Sequence, residues 1–289
     1  MKFVTPEIKR EITGKLKIYC ERYESQNKAA NTLKGVSSAT VSQMLNGNWK
    51  LITEQMWRNV ATQVGWKENP WYSGETSNLK ELKQLYQAAM DKSMVLAITA
   101  EAGTGKTWTA NEFCSETKSA FVLRCNEFWN KKTFLAELCN VLAIDCRGYN
   151  MIEMMQDIVW TLKTKNKPLL ILDEADKLAD AILYFFITIY NYLEDECGLI
   201  LQATDYLEKR LKGGVNKNAK GFPEIWSRLG RKCIHLNGVN ADDIRNICLA
   251  NGMENEADIE LVILDSESDF RRVKRKIQAI TGKKAAVLN

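Results

Sequence analysis

Five continuous apolar runs, MVLAIT (94–99), AFVLR (120–124), PLLILD (168–173), GLILQAT (198–204) and KCIHL (232–236), alternate with stretches of helical periodicity. Strands that are apolar on both faces belong in a sheet covered on both sides, and strands separated by helices run parallel. The spacing therefore predicts an α/β fold built on a parallel sheet over residues 79–238. Beyond it, ADDIRNICLANG, ENEADIELVILD and DFRRVKRKIQAI read as a small helical lid over 239–289. Ahead of it, Ile8, Ile12, Leu16 and Tyr19 recur at helical spacing and short segments of similar character continue to Val64. These predict an all-α domain over 1–66. The glycine- and proline-broken GWKENPWYSGETSN places a linker at 67–78.

Composition narrows the chemistry. Of 289 residues, 45% are hydrophobic and 26% charged, enough for a sizeable core and too apolar for a disordered chain. No run of 18 apolar residues occurs, and the first residues lack the apolar segment of a signal peptide. A cytoplasmic protein with no membrane partner is expected. The eight cysteines never reach C-x-x-C spacing, so they read as reduced and mostly buried thiols, not as a zinc cluster or redox pair. His235 is the one histidine; its place in the apolar run CIHL predicts a satisfied core histidine and weakens triad or multi-histidine metal chemistry. Net charge is +4, and residues 1–78 carry all of it, with 11 Lys and Arg against 7 Asp and Glu. A polyanionic partner for the N-terminal part, or simply solvated lysines, would give that balance.

The first apolar run leads into Ala100-Glu101-Ala102-Gly103-Thr104-Gly105-Lys106-Thr107 and then into the helical WTANEFCSE. Strand, glycine turn and helix form the setting in which this pattern binds phosphate. Gly103 and Gly105 let backbone N–H groups wrap the phosphates, and the helix N-terminus adds partial positive charge. Lys106 is placed for the β and γ phosphates and the Thr107 hydroxyl for Mg²⁺, so Ala102 through Trp108 are the expected nucleotide contacts. The usual leading glycine is here Ala100, a small replacement.

The third run ends in Asp173-Glu174. An aspartate at the carboxyl end of a buried strand can hold Mg²⁺ through a water, and the adjacent Glu174 can orient and deprotonate an attacking water. Some 65 residues after a phosphate loop, the pair predicts ATP binding and hydrolysis, with Mg²⁺ held by Thr107 and Asp173. Asp173-Glu174-Ala175-Asp176 also resembles the DEAD-box helicases. Those need a second RecA-like domain with an arginine-rich motif, and none follows here.

Other features resemble the AAA+ superfamily. The run GLILQATD ends in Thr204 and Asp205, where that family places its sensor 1 residue between the Mg²⁺ strand and the γ-phosphate. Phe222-Pro-Glu-Ile-Trp-Ser-Arg228-Leu-Gly-Arg231 resembles the segment carrying an arginine finger, which acts in the neighbouring subunit's site. Arg228 is the first candidate and Arg231 the alternative. Ser268-Asp269-Phe270-Arg271-Arg272 resembles the sensor 2 motif, with Arg271 in register to reach the γ-phosphate. The resemblance implies Lys106, Asp173, Glu174 and Arg228 as the catalytic set, with Thr204, Asp205 and Arg271 as further nucleotide contacts. It also implies a ring or helical oligomer.

In the N-terminal part, Gln26 to Gly47 resembles a helix-turn-helix of the phage-repressor type. Ala30 allows close helix crossing, Leu33, Val36, Val41 and Leu45 make the shared core, Ser37 caps the second helix and Gly47 ends it. Ser38, Thr40, Gln43 and Asn46 are the outward polar groups suited to phosphates and base edges. The turn holds one residue more than the commonest pattern. DNA binding, protein docking and a plain three-helix scaffold all remain open. Trp49, Trp57, Trp66 and Trp71 read as packing for this part and its linker.

A repressor-like module joined to one AAA+ domain with a lid resembles the Mu B-type transposition activators. That resemblance implies ATP-dependent oligomerisation on double-stranded target DNA and stimulation of a partner transposase. Lys131, Lys132 and Thr133 are then the first candidates for DNA contact in the ATPase part, followed by Lys212, Lys217 and Lys220, with solvated loops as the alternative. The basic cluster from Arg271 to Lys276 could attract DNA or an acidic partner; helical spacing directs Arg271 inward and others outward. A replication initiator or helicase loader, and a nucleotide-controlled switch without DNA, are the competing readings.

Overall fold

The computed structural model describes residues 5–67 and 71–287, with side chains to residue 281. Two compact units result: one takes the chain up to Trp71 together with Ala136–Asn150, the other takes Tyr72–Leu135 and the chain from Met151 on. Among the described residues no helix is long and apolar enough to cross a membrane.

The first unit opens with four helices, α1 (Pro6–Glu21), α2 (Gln26–Thr32), α3 (Ser38–Leu45) and α4 (Glu54–Gln63). Each is started by a hydroxyl cap: Thr5, Ser25, Ser37 and Thr53 accept from an N–H of the first turn. Ile12, Leu16, Ala30, Leu33, Val41, Met44, Trp57 and Val60 form the core, with Leu45 and Trp66 packed at its margin and Trp49 edge-on to Trp57. Met44 takes the central place that the spacing assigned to Leu45. The five-residue turn between α2 and α3 is held by α4. The Gln63 amide pairs with both backbone groups of Lys34, accepting from its N–H at 2.7 Å and donating to its C=O at 3.0 Å, and Asn59 donates to the same carbonyl.

In the second unit α5 (Ser77–Asp91) leads into β1 (Val95–Thr99), α6 (Lys106–Glu116) and β2 (Ala120–Arg124). There follow α7 (Lys131–Val141), whose residues are divided between the units, α8 (Met151–Lys163) and β3 (Leu169–Asp173). A short 3-10 turn (Ala175–Lys177), α9 (Asp180–Leu193), β4 (Gly198–Ala203), α10 (Tyr206–Asn216), α11 (Phe222–Arg228) and β5 (Ile234–His235) complete the α/β layer. The C-terminal helices are α12 (Ala241–Ala250), α13 (Glu256–Asp265) and α14 (Phe270–Val287).

The five predicted strands form one parallel sheet in the order β2-β3-β4-β1-β5. β3 and β4 are buried along their whole length, as continuous apolar runs require. β4 lies between β1 and β3, so three strand ends converge: the exit of β1 into the glycine turn, Asp173 on β3 and Thr204 just after β4. β2 matches its predicted run, β1, β3 and β4 are each one residue shorter, and β5 is cut to two residues. It pairs with β1 solely at Ile98 and Thr99, because Gly230 and Arg231 adopt left-handed backbone just before it and turn the chain at the sheet edge. His235 consequently lies at that edge with its side chain 52% exposed, which corrects the expectation of a core histidine.

Candidate nucleotide site

The turn after β1 is shaped by Gly103 (φ 86°) and Gly105 (φ 94°), both in the left-handed region that glycine enters without strain. Gly105 occupies the N-cap of α6 and brings no side chain to its first N–H groups. At Gly103 the space a Cβ would fill holds the Asp269 carboxylate, and the Phe270 N–H donates to the Gly103 carbonyl at 3.0 Å. Ser268 and Glu267 reach that approach through left-handed backbone of their own.

Lys106 is buried and folds back on this turn. Its ammonium donates to the carbonyls of Ala100 and Glu101, each at 2.8 Å, and to Thr104 Oγ1 at 3.3 Å. Burial pushes its pKa below the ordinary lysine range against the opposing charges of Asp173, Asp205 and Asp176, and nearby Arg271 lowers it further. Thr104 donates to Glu101 O, closing the loop on itself. Ala102 and Trp108 are exposed at the two ends of the loop. Arg271 is exposed, close enough for its charge to act on Lys106, and its N–H is capped by Asp269.

Asp173, 1% exposed, accepts from Thr107 Oγ1 at 2.7 Å on one oxygen and from Gln202 Nε2 at 2.8 Å on the other. Gln202 Oε1 in turn accepts from the Tyr86 hydroxyl. A hydroxyl and a carboxylate in direct contact are the hard oxygen donors that magnesium takes. Glu174 stands at φ 55°, and its carboxylate is bonded to Arg124 at 2.7 Å and to Lys177. Burial pushes Glu174 up, but the hydrogen bonds and charges of Arg124 and Lys177 outweigh it and hold its pKa below the usual carboxylate range. Thr204 donates to Asp176 Oδ2 at 2.6 Å, and Arg210 secures the same turn through Asp176 O and Asp180. Thr204, Asp205 and Tyr206 line a cavity of 530 Å³ with Glu101, Ala102 and Asp269. His235 is tied beside it, 3.0 Å from both Thr99 Oγ1 and Glu208 Oε2.

The loop from Ala102 to Thr107 is thus brought together with Asp173, Glu174, Thr204, Asp205 and Arg271. Arg228 is elsewhere: it bonds Glu224 and Asn191, each at 2.8 Å, and stacks on Tyr190, with 19% of its side chain exposed. Arg231, three residues on, is exposed. The partners Tyr86, Arg124, Lys177, Gln202 and Arg210 are absent from the sequence reading. Gln202 did leave a signal there, a lone amide inside GLILQAT.

Residues 75–211 match the family model for an AAA domain. This stretch includes the glycine loop, Asp173, Glu174, Gln202 and Thr204, and stops short of Arg228 and α12 to α14. Among solved structures, a mutant RuvB of Thermotoga maritima is similar at 17% identity over 75% of this chain and 65% of its own, with a TM-score of 0.47. NtrX from Brucella abortus in complex with ATP is 11% identical over 85% and 59%, with a TM-score of 0.42. The S. cerevisiae Hsp104-ADP complex is 13% identical over 96% and 59%, with a TM-score of 0.47. The chain therefore spans less than two thirds of each of these proteins. No curated protein matches it.

The sequence-predicted DNA contacts have mixed settings. Ser38 on α3 and Asn46 at its C-cap are exposed and Gln43 is half-buried, whereas Thr40 turns its hydroxyl to Ser37 Oγ at 2.9 Å and joins the helix cap. Lys131 and Lys132 are exposed at the start of α7, while the Thr133 hydroxyl is used by the Asn130 cap. Lys217 and Lys220 are exposed; Lys212 is paired with Glu208. In α14, Arg272 pairs with Glu267 and Lys276 with Asp265, leaving Arg271 and Arg275 as the exposed cations among its described side chains.

Proposed function

We propose that this protein is a magnesium-dependent ATPase that oligomerises on double-stranded DNA and regulates a transposase, as the Mu B-type resemblance implies. The convergence of Lys106, Thr107, Asp173 and Glu174 at the carboxyl ends of β1 and β3 carries the ATPase half of the reading. When bound, Mg²⁺ neutralises phosphate charge. Lys106, now satisfied by loop carbonyls, turns to the β and γ phosphates without unfolding the loop. Thr107 and Asp173 would hold the cation, and Arg271 would meet the terminal phosphate. Glu174 serves as general base once it is released from Arg124 and Lys177. An arginine from the next copy completes the charge stabilisation, Arg228 after leaving Glu224 or the already exposed Arg231.

The DNA half rests on the positive N-terminal balance and on the capped α3 that exposes Ser38 and Asn46. Lys131 and Lys132 add phosphate contacts that are indifferent to sequence. Electron microscopy of the protein with duplex DNA and ATP, ADP or no nucleotide tests the whole. Ordered oligomers are expected with ATP and are lost with ADP. Monomers in every condition refute the assembly, and a strict preference for one DNA site favours a replication initiator instead.

A further inference from the structure

The Tyr86–Gln202–Asp173 chain is buried from end to end, and its hydrogen bonds can run in only one direction. Gln202 and Asp173 are cross-strand partners in the β3–β4 register, so the backbone itself sets the amide beside the carboxylate. Gln202 is 0% exposed, and Tyr86 reaches it from α5, wedged edge-on against Phe113. Asp173 Oδ1 accepts from the NH₂ of the amide; the flipped amide would set Oε1 against a carboxylate oxygen. With the NH₂ so committed, Oε1 faces Tyr86, whose hydroxyl has to donate. The phenol is a durable donor, since burial and then the Asp173 charge hold its pKa well above the ordinary value.

We infer that Gln202, oriented by Tyr86, is a positioning residue for magnesium. It fixes one oxygen of Asp173 and the plane of its carboxylate, while the other oxygen stays with Thr107 on the loop. The inference rests on the magnesium-ATP reading above. Outer groups that orient a metal-binding carboxylate typically set metal affinity by roughly 10- to 100-fold. Here that effect falls on magnesium and not on the nucleotide itself, because the hydrogen bonds of the Gln202 and Tyr86 side chains go to each other and to Asp173, not to the glycine loop. Tyr86 acts only through Gln202, so its loss is smaller and not additive.

The test is a magnesium titration of the full-length protein with a fluorescent ATP analogue, repeated in EDTA to obtain metal-free affinity. Gln202→Leu is expected to raise the magnesium needed for half-saturation about tenfold or more while leaving the EDTA affinity unchanged. Tyr86→Phe, which keeps the ring, should shift it in the same direction by less, and the double variant should match Gln202→Leu alone. Unchanged magnesium dependence in Gln202→Leu overturns the inference, as does equal loss with and without metal, or additivity in the double variant. Should Gln202→Leu fail to fold, Tyr86→Phe with unchanged magnesium dependence overturns it as well. A wild-type protein that binds no nucleotide, or binds it without regard to magnesium, overturns the underlying reading instead.

Discussion

A general base must present an oxygen to water, and each Glu174 oxygen is already held by a cation, one by Arg124 and one by Lys177. Its surroundings keep it ionised but occupied. Removing one partner should therefore raise turnover in the absence of DNA: Arg124→Ala is expected to increase basal phosphate release several-fold, and an unchanged or lower rate would separate Arg124 from control of Glu174. Glu174→Gln should retain ATP binding and lose most turnover, read by equilibrium binding beside phosphate release; normal hydrolysis would remove Glu174 from the mechanism. Lys106→Ala should fail earlier, at nucleotide binding, since its ammonium is a buried cation at the loop. The thiols behave oppositely to catalytic ones. Burial pushes Cys197 up to about 12 and Cys248 up to about 11, so at pH 8 both remain protonated and should resist alkylation until the protein is unfolded.

At the level of elements, the legible features were those written in contiguous residues. The strands appear as apolar runs because a doubly covered sheet tolerates nothing else, and the glycine loop appears because only glycine enters its backbone angles cheaply. What stayed hidden joins distant residues: Tyr86 meets Gln202 across 116 positions, and Gln63 clamps Lys34 across 29. The short β5 was hidden for another reason, since an apolar run cannot show that a left-handed residue ahead of it ends the pairing. The clamp makes a local prediction. Gln63→Ala should destabilise the first unit by about 1 kcal/mol, a net figure ordinary for partly exposed hydrogen bonds. Trp57→Ala, emptying the centre of that core, should cost about 3 to 5 kcal/mol. Urea unfolding followed by tryptophan fluorescence distinguishes the two, and equal effects would place the turn, not the indole, at the centre of stability.

For the whole molecule, association with DNA should weaken steeply with salt, and replacing Lys131 and Lys132 by alanine should flatten the logarithmic salt slope by about 2 without altering sequence preference. An unchanged slope would remove both lysines from the contact. Connectivity adds something that motifs alone did not suggest. Because Ala136–Asn150 belongs with the N-terminal helices, the polypeptide passes between the units three times, not once. A protease nick within 67–78 severs only one of three covalent crossings. Surface substitutions such as Ser38→Ala probe the N-terminal unit and leave all three crossings intact.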